Sequence, residues 1–107
     1  MKLMKIIPAK AKGKKWTAYF MLDDGKEKAV SFGAKGYRDF TLMNDKTSKF
    51  YEPDKEKREK VKAAYIKRHA NDPINQPLTA GALSRWILWE LPSFAGSIKK
   101  FKNKFKL

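Results

Sequence analysis

Residues 14–35, KKWTAYFMLDDGKEKAVSFGAK, decide the fold because they carry the pattern of a β-hairpin. In the first half of the stretch, two sets of side chains alternate with a period of two. That period predicts a strand whose two faces differ in character. The first set is Trp16, Ala18, Phe20 and Leu22, and the second is Thr17, Tyr19 and Met21.

The DDG turn that follows this strand allows two registers. A two-residue turn centred on Asp24 and Gly25 would leave Phe32 on the face away from Trp16. A type I turn with Gly25 as a left-handed bulge residue gathers the apolar groups on one face instead. Because one buried face strongly specifies register, we predict the bulged hairpin. It pairs Trp16 with Phe32, Ala18 with Val30 and Phe20 with Lys28.

Two further strands are predicted beside the hairpin. Residues 3–7, LMKII, form a short apolar run that Pro8 ends, and the basic stretch AKAKGKK connects them to the hairpin. Residues 37–43, YRDFTLM, alternate again and could add one more strand. The expected sheet is therefore antiparallel, with three or four strands.

From Pro53 onward the pattern changes to that of helices. Residues 53–71 begin with a proline and two acids and end before Pro73, as a helix does. Thr79 can cap a second, almost wholly apolar helix that Pro92 ends, and we predict that this helix is core. Ser93 can cap a last helix with a narrow apolar stripe. The stripe consists of Phe94, Ile98, Phe101 and Phe105.

These elements predict one small basic α+β domain over residues 1–107. Residues 1–43 are expected to be mostly strands and residues 53–107 mostly helices. The N-terminal antiparallel sheet of three or four strands is followed by about three C-terminal helices, which pack against one of its faces. With 13% aromatic residues the chain has enough bulky apolar groups for a core.

The charge predicts a polyanionic partner. Lys and Arg total 25 against 11 acids, a formal net charge of +14, and such a field attracts nucleic acid, anionic membrane or acidic protein. Only four of the 25 are arginines, the side chain that most often reads base edges. The lysine excess therefore favours contact with a nucleic-acid backbone without sequence readout.

The last helix is the best candidate surface, because no acid follows Glu90 and five lysines do. Three interpretations compete: a solvated face, a polyanion-binding face, and insertion of a basic amphipathic helix into an anionic membrane surface. Tyr19 and Tyr37 could stack on bases, unless the C-terminal helices cover Tyr19. The full set of predicted nucleic-acid-binding residues is Lys62, Lys67, Arg68, Lys99, Lys100, Lys102, Lys104, Lys106, Tyr19 and Tyr37.

Material for catalysis is scarce. His69 is the only histidine and there is no cysteine, which excludes His–Cys pairs and multi-histidine metal sites. A metal-dependent nuclease could use carboxylates, but three of the four available ones, Asp23, Asp24 and Asp72, are expected to serve a turn or a loop start. His69 is expected to stabilise a helix C-terminus. We predict no catalytic residues, no metal site and no cofactor. The available carboxylates are Asp23, Asp24, Asp39 and Asp72.

Four segments carry a family resemblance: SFGAKGYRDFT, YIKRHA, TAGALSRWILW and SIKKFKNKF. Through them the chain, from about residue 15 to its end, resembles small basic proteins of unknown function encoded by large nucleocytoplasmic DNA viruses of the phycodnavirus and mimivirus kind. The stretch NDKTSKFYEPDKEKREK is longer and more charged than that pattern. The resemblance implies a virion or a viral factory in the host cytoplasm. The lack of a secretory signal at the N-terminus separately predicts that the protein is not secreted.

The expected function is sequence-independent binding of DNA or RNA, with lysines contacting phosphates. Two alternatives stay open at this point. The first is a small structural cement protein that meets acidic virion proteins. The second is an accessory nuclease-like factor. No segment approaches the length of an apolar membrane span, and the N-terminus lacks the apolar run of a secretory signal.

Overall fold

The computed structural model describes all residues 1–107 and has an N-terminal antiparallel sheet followed by helices. The sheet has three strands in the order β1 (Lys2–Pro8), β2 (Lys14–Met21) and β3 (Glu27–Ala34). A bulge between Leu3 and Lys5 shifts the register of β1 against β2. The α+β class is thus confirmed.

The hairpin of β2 and β3 has the predicted bulged register. Trp16 pairs with Phe32, and Phe20 pairs with Lys28. Gly25 has φ +84°, the left-handed conformation that a side chain disfavours. The amide of Leu22 donates to the carbonyl of Lys26 at 2.8 Å and closes the turn. Ala18, Phe20 and Phe32 are consequently all buried on one face.

The prediction of a possible fourth strand at residues 37–43 is wrong, because residues 40–43 form a short helix, α1 (Phe40–Met43). The cause is the side chain of Asp39, which accepts a hydrogen bond from the amide of Leu42 at 2.9 Å and caps the helix. The helical turn buries both Phe40 and Met43, which an extended chain would place on opposite faces.

The long helix, α2 (Lys55–Arg68), begins where Asp54 accepts hydrogen bonds from the amides of Glu56 and Lys57. It ends somewhat before the predicted Asn71, with His69 as its C-cap. The predicted Thr79 cap is confirmed, since its hydroxyl accepts from the amide of Ala82 at 3.2 Å.

Thr79 opens α3 (Ala80–Leu83), which continues as a π-helical turn over Ser84–Leu88. This helix is shorter than the predicted one and changes type midway. Its core role is confirmed, because Ile87, Leu88 and Trp89 are buried. Trp86 is half-buried, and its indole N–H donates to the carbonyl of Ile74 at 2.7 Å.

The last helix, α4 (Phe94–Phe105), begins at Ser93, whose hydroxyl accepts from the amide of Gly96 at 3.0 Å. Its apolar stripe packs on the rest of the protein. Phe94 stacks on Trp16 with ring centroids 4.6 Å apart, and Phe101 is 1% exposed. The stripe is therefore part of the core.

One cluster of 12 buried residues draws on every strand and every helix. The helices pack against the sheet face that carries Phe20 and Phe32. Tyr19 points to the other face and lies outside the cluster, with the Lys5 ammonium 5.1 Å from its ring centroid. The helices therefore do not bury Tyr19. No helix combines the length and the apolar character needed to cross a membrane.

Candidate polyanion-binding surfaces

Most of the positive charge has no acidic partner within the chain. Only four of the 25 Lys and Arg side chains make ion pairs. The four are Lys15, Lys62, Arg85 and Lys100. The other basic side chains are free to meet an external anion.

The docking of α4 through its apolar stripe turns its lysines outward. Lys99, Lys104 and Lys106 are exposed, and Lys102 is half-buried. The Lys104 ammonium lies 4.3 Å from the centroid of the Trp86 ring, a cation–π contact. Three exposed cations without ion-pair partners thus lie on the second half of the helix and its C-cap.

Lys100 differs from its neighbours. The sequence suggested that it faced no local counter-charge, but its ammonium donates to Glu90 Oε2 at 2.6 Å. Glu90 also accepts from Arg85 at 3.0 Å. Burial alone would raise the pKa of Glu90, but the hydrogen bonds from Lys100 and Arg85 outweigh it and hold the pKa below its usual value.

Lys62 also contacts Glu90. Its ammonium donates to the backbone carbonyl of Glu90 at 2.7 Å and lies 4.7 Å from the centroid of the Phe40 ring. In the free protein Lys62 therefore joins α2 to α1 and to the segment before α4. Its neighbour Lys67 is exposed on α2.

A first cleft, which we call the α2 cleft, lies between the ends of β2 and β3, α2 and α3. It has a volume of about 520 Å³, within the usual range for ligand sites. It brings together two predicted residues, Tyr37 and Arg68, although 31 positions separate them in the chain. Lys14, Lys15 and Arg38 line it as well, and of its four cations only Lys15 has an ion-pair partner.

The wall of the α2 cleft is a rigid aromatic stack. Tyr65 lies between His69 and Trp89, with ring centroids 4.2 Å away on each side. Burial, with a smaller effect of the Asp72 charge, raises the pKa of Tyr65 to about 12, so the phenol stays neutral. His69 Nδ1 is hydrogen-bonded to Asp72 Oδ2 at 2.8 Å. His69 thus has a structural partner at the end of α2.

The π-helical turn forms another part of this wall, through Ser84 and Leu88. Such turns occur frequently at functional sites. Its close approach to β3 depends on Gly33, which has φ +80°. A Cβ on Gly33 would lie 2.9 Å from Leu88 Cδ1.

A second cleft, the aromatic cleft, has a volume of about 860 Å³. Four aromatic rings contribute to its apolar lining, and Lys35 and Lys49 supply unpaired positive charge. Asp45 also lines it, but Thr47 donates to that carboxylate from its hydroxyl and its amide, and these bonds hold the pKa of Asp45 below its usual value. The four rings belong to Trp16, Tyr37, Phe50 and Phe94.

The two clefts adjoin each other, because Lys14, Lys15, Tyr37 and Asp39 line both. Lys15 Nζ donates to Asp39 Oδ2 at 2.7 Å, so the acid at the junction is neutralised. Tyr37 is 70% exposed there.

Sequence reasoning found Tyr37 and Arg68 but missed Lys14, Arg38 and Phe50. Phe50 carried a usable signal, since it forms with Tyr51 a pair of aromatic residues within a polar loop. Lys14 and Arg38 carried none, because basic residues occur throughout the chain and only the fold selects these two.

The acids that might have served a nuclease are dispersed. Asp23 pairs with the N-terminal ammonium, and Asp24 accepts from the amide of Lys26 at 3.0 Å. Nowhere do three His, Asp or Glu side chains come together as metal ligands would. Nothing in this arrangement points to an enzymatic activity.

Comparison with known proteins yields one finding. Residues 4–52 match a family described as "Family of unknown function (DUF5754)". No curated protein and no solved structure matches the chain. The stretch that is similar to this family contains most of β1, all of β2, β3 and α1, and the cleft residues Lys14, Tyr37 and Phe50.

Proposed function

We propose that the protein binds the backbone of nucleic acids without reading the base sequence. The observation that carries the proposal is that only four of 25 basic side chains are paired internally, in a chain of formal net charge +14. Uncompensated lysines attract phosphates and release the counterions condensed on them.

Two features of the surface support contact with a backbone. The exposed residues Lys99 and Lys104 lie on a helix that packs on the core, and Lys106 caps that helix, so binding need not order them by folding. Lysine also acts as a point charge on phosphate and lacks the fork that reads guanine. We therefore expect the affinity to depend on charge and to depend little on base identity.

Membrane insertion of α4 is a weaker alternative, because its apolar stripe already packs against the core of the protein. Phe101 is buried, and Phe94 and Phe105 pack against the core. To insert, the helix would first have to leave the core and expose these rings. A nucleic acid requires no such rearrangement.

The test is the salt dependence of binding to a labelled oligonucleotide, followed by fluorescence anisotropy. With about five phosphates neutralised, affinity should fall by several hundredfold, on the order of 10²–10³, between 50 and 200 mM salt. Replacing Lys99, Lys104 and Lys106 with glutamine should lower the slope by about one unit for each lysine that contacts a phosphate.

The matched control replaces Lys55, Lys57 and Lys60, three exposed lysines of α2 that are interspersed with acids. It removes the same total charge from another place. The control should change the slope less than the α4 variant does. Binding that is insensitive to salt would refute the proposal.

The viral setting stays a prediction that rests on the four resembling segments. In that setting the polyanion would be viral DNA or RNA. The nucleic-acid proposal itself depends on the charge and the surface alone.

A further inference from the structure

We propose that the α2 cleft and the aromatic cleft form one path for a single nucleic-acid strand, so that the protein prefers single-stranded over double-stranded nucleic acid. This inference rests on the proposed function and names its substrate class. It assigns base stacking to Tyr37 and the aromatic cleft, and phosphate contact to the cations that flank them.

Tyr37 is the centre of the path. It lines both clefts and is 70% exposed, the only aromatic side chain of the protein that is so open. An open tyrosine beside unpaired cations is the arrangement on which single strands stack their bases. The ring therefore offers a base platform at the junction.

The aromatic cleft continues the stacking surface. Trp16 and Phe94 are stacked on each other at 4.6 Å and form a fixed wall, and Phe50 lies on the same cleft. A ring held by another ring loses little conformational entropy when a base packs on it. These groups come from β2, α4 and the loop after α1, so they are positioned by the whole fold.

Charge complementarity follows the same path. Lys14, Arg38 and Arg68 line the α2 cleft, and Lys35 and Lys49 line the aromatic cleft, all without ion-pair partners. Each acid of the clefts already has a hydrogen-bond partner: Asp39 is bonded to Lys15, Asp72 to His69 and Asp45 to Thr47. Together the two clefts are lined by six basic and three acidic side chains, so a strand that enters them meets a net positive charge.

A duplex cannot use this surface in the same way. Its bases are stacked on one another, so their faces are closed to Tyr37, whereas the bases of a single strand can be splayed onto side chains. Duplex binding would be left with phosphate contacts alone. Single strands should therefore gain affinity that duplexes do not.

The experiment compares a single strand of about 12 nucleotides, within the usual range of single-strand sites, with a duplex of equal length at the same salt concentration. We expect the single strand to bind at least about tenfold more tightly. Tyr37→Ala should weaken single-strand binding by about five- to a hundredfold, the usual loss of one stacked base, and leave duplex binding nearly unchanged.

Tyr51→Ala is the matched control, because Tyr51 is the same residue type and lines neither cleft. It should change neither affinity. Since Tyr37 is exposed, its removal should leave the thermal midpoint nearly unchanged, which shows that any loss of binding is local.

The outcomes are distinct. Equal affinity for both forms, or equal losses from Tyr37→Ala and Tyr51→Ala, would overturn the single-strand path while salt-dependent binding kept the proposed function. Absence of salt-dependent binding to either form would overturn both.

Discussion

The ion pair at the junction of the two clefts offers a sharp test of the structure. Asp39 is 1% exposed and accepts three hydrogen bonds, from Lys15 Nζ at 2.7 Å, Thr41 Oγ1 at 2.5 Å and the Leu42 amide at 2.9 Å. Asp39→Ala removes all three. It leaves the Lys15 ammonium without its partner and α1 without its cap.

The expected loss follows from these contacts. Removing one member of a buried pair costs about 3–5 kcal/mol, and loss of a helix cap costs about 1 kcal/mol. Because the Lys15 side chain keeps 12% exposure, its charge can partly reach water. We therefore expect a total near the lower limit, about 3 kcal/mol, out of the roughly 5–15 kcal/mol of a typical domain.

Urea denaturation measures this loss as a shift in midpoint at unchanged slope. The double variant Lys15→Met/Asp39→Ala should recover part of the stability, because it no longer leaves a charge unpaired. Asp24→Ala, at an exposed turn, is the control and should lower the free energy of unfolding much less than Asp39→Ala does. A loss below about 1 kcal/mol for Asp39→Ala would refute the buried-pair account.

Three further predictions follow from local geometry. Gly33→Ala should cost at least about 2 kcal/mol in urea denaturation, since its φ is +80° and the new Cβ would meet Leu88; a neutral result would contradict the close approach. Because the pKa of Glu90 is lowered in the folded state, its ionised form stabilises the fold above its ordinary pKa of 4.5, and this stabilisation is lost as pH falls through the folded-state pKa. Glu90→Gln should therefore reduce the loss of stability at acid pH, and an unchanged acid dependence would count against the ion pairs of Glu90. Amides of α4 should be protected from hydrogen exchange through Phe101 in the free protein, and free exchange there would mean that α4 is undocked.

Local pattern predicted the hairpin and the last helix well. The DDG turn admits two registers, and only one places Trp16 and Phe32 on the same face, so the need to bury apolar groups decides between them. The spacing of Phe94, Ile98, Phe101 and Phe105 is likewise a local signal, and the packing of that stripe followed it.

The failures share a non-local cause. The alternation at residues 37–43 suggested a strand, but Asp39 caps a helix there and is held by Lys15, 24 positions away. Glu90 reaches Lys100 across the gap between the π-helical turn and α4, which no i,i+4 rule describes. Clefts built from distant loops, such as those that place Phe50 near Tyr37, are equally invisible before the fold is known.

The most direct test of nucleic-acid binding is a residue-resolved NMR titration of the folded protein with a short single-stranded oligonucleotide. The amide chemical shifts of Lys14, Tyr37 and Arg38 and of the exposed side of α4 should change on titration, and these changes should diminish as salt is added. The control stretch of α2, residues 55–60, should move little. A saturating titration that leaves every cleft residue and α4 unmoved would contradict the account.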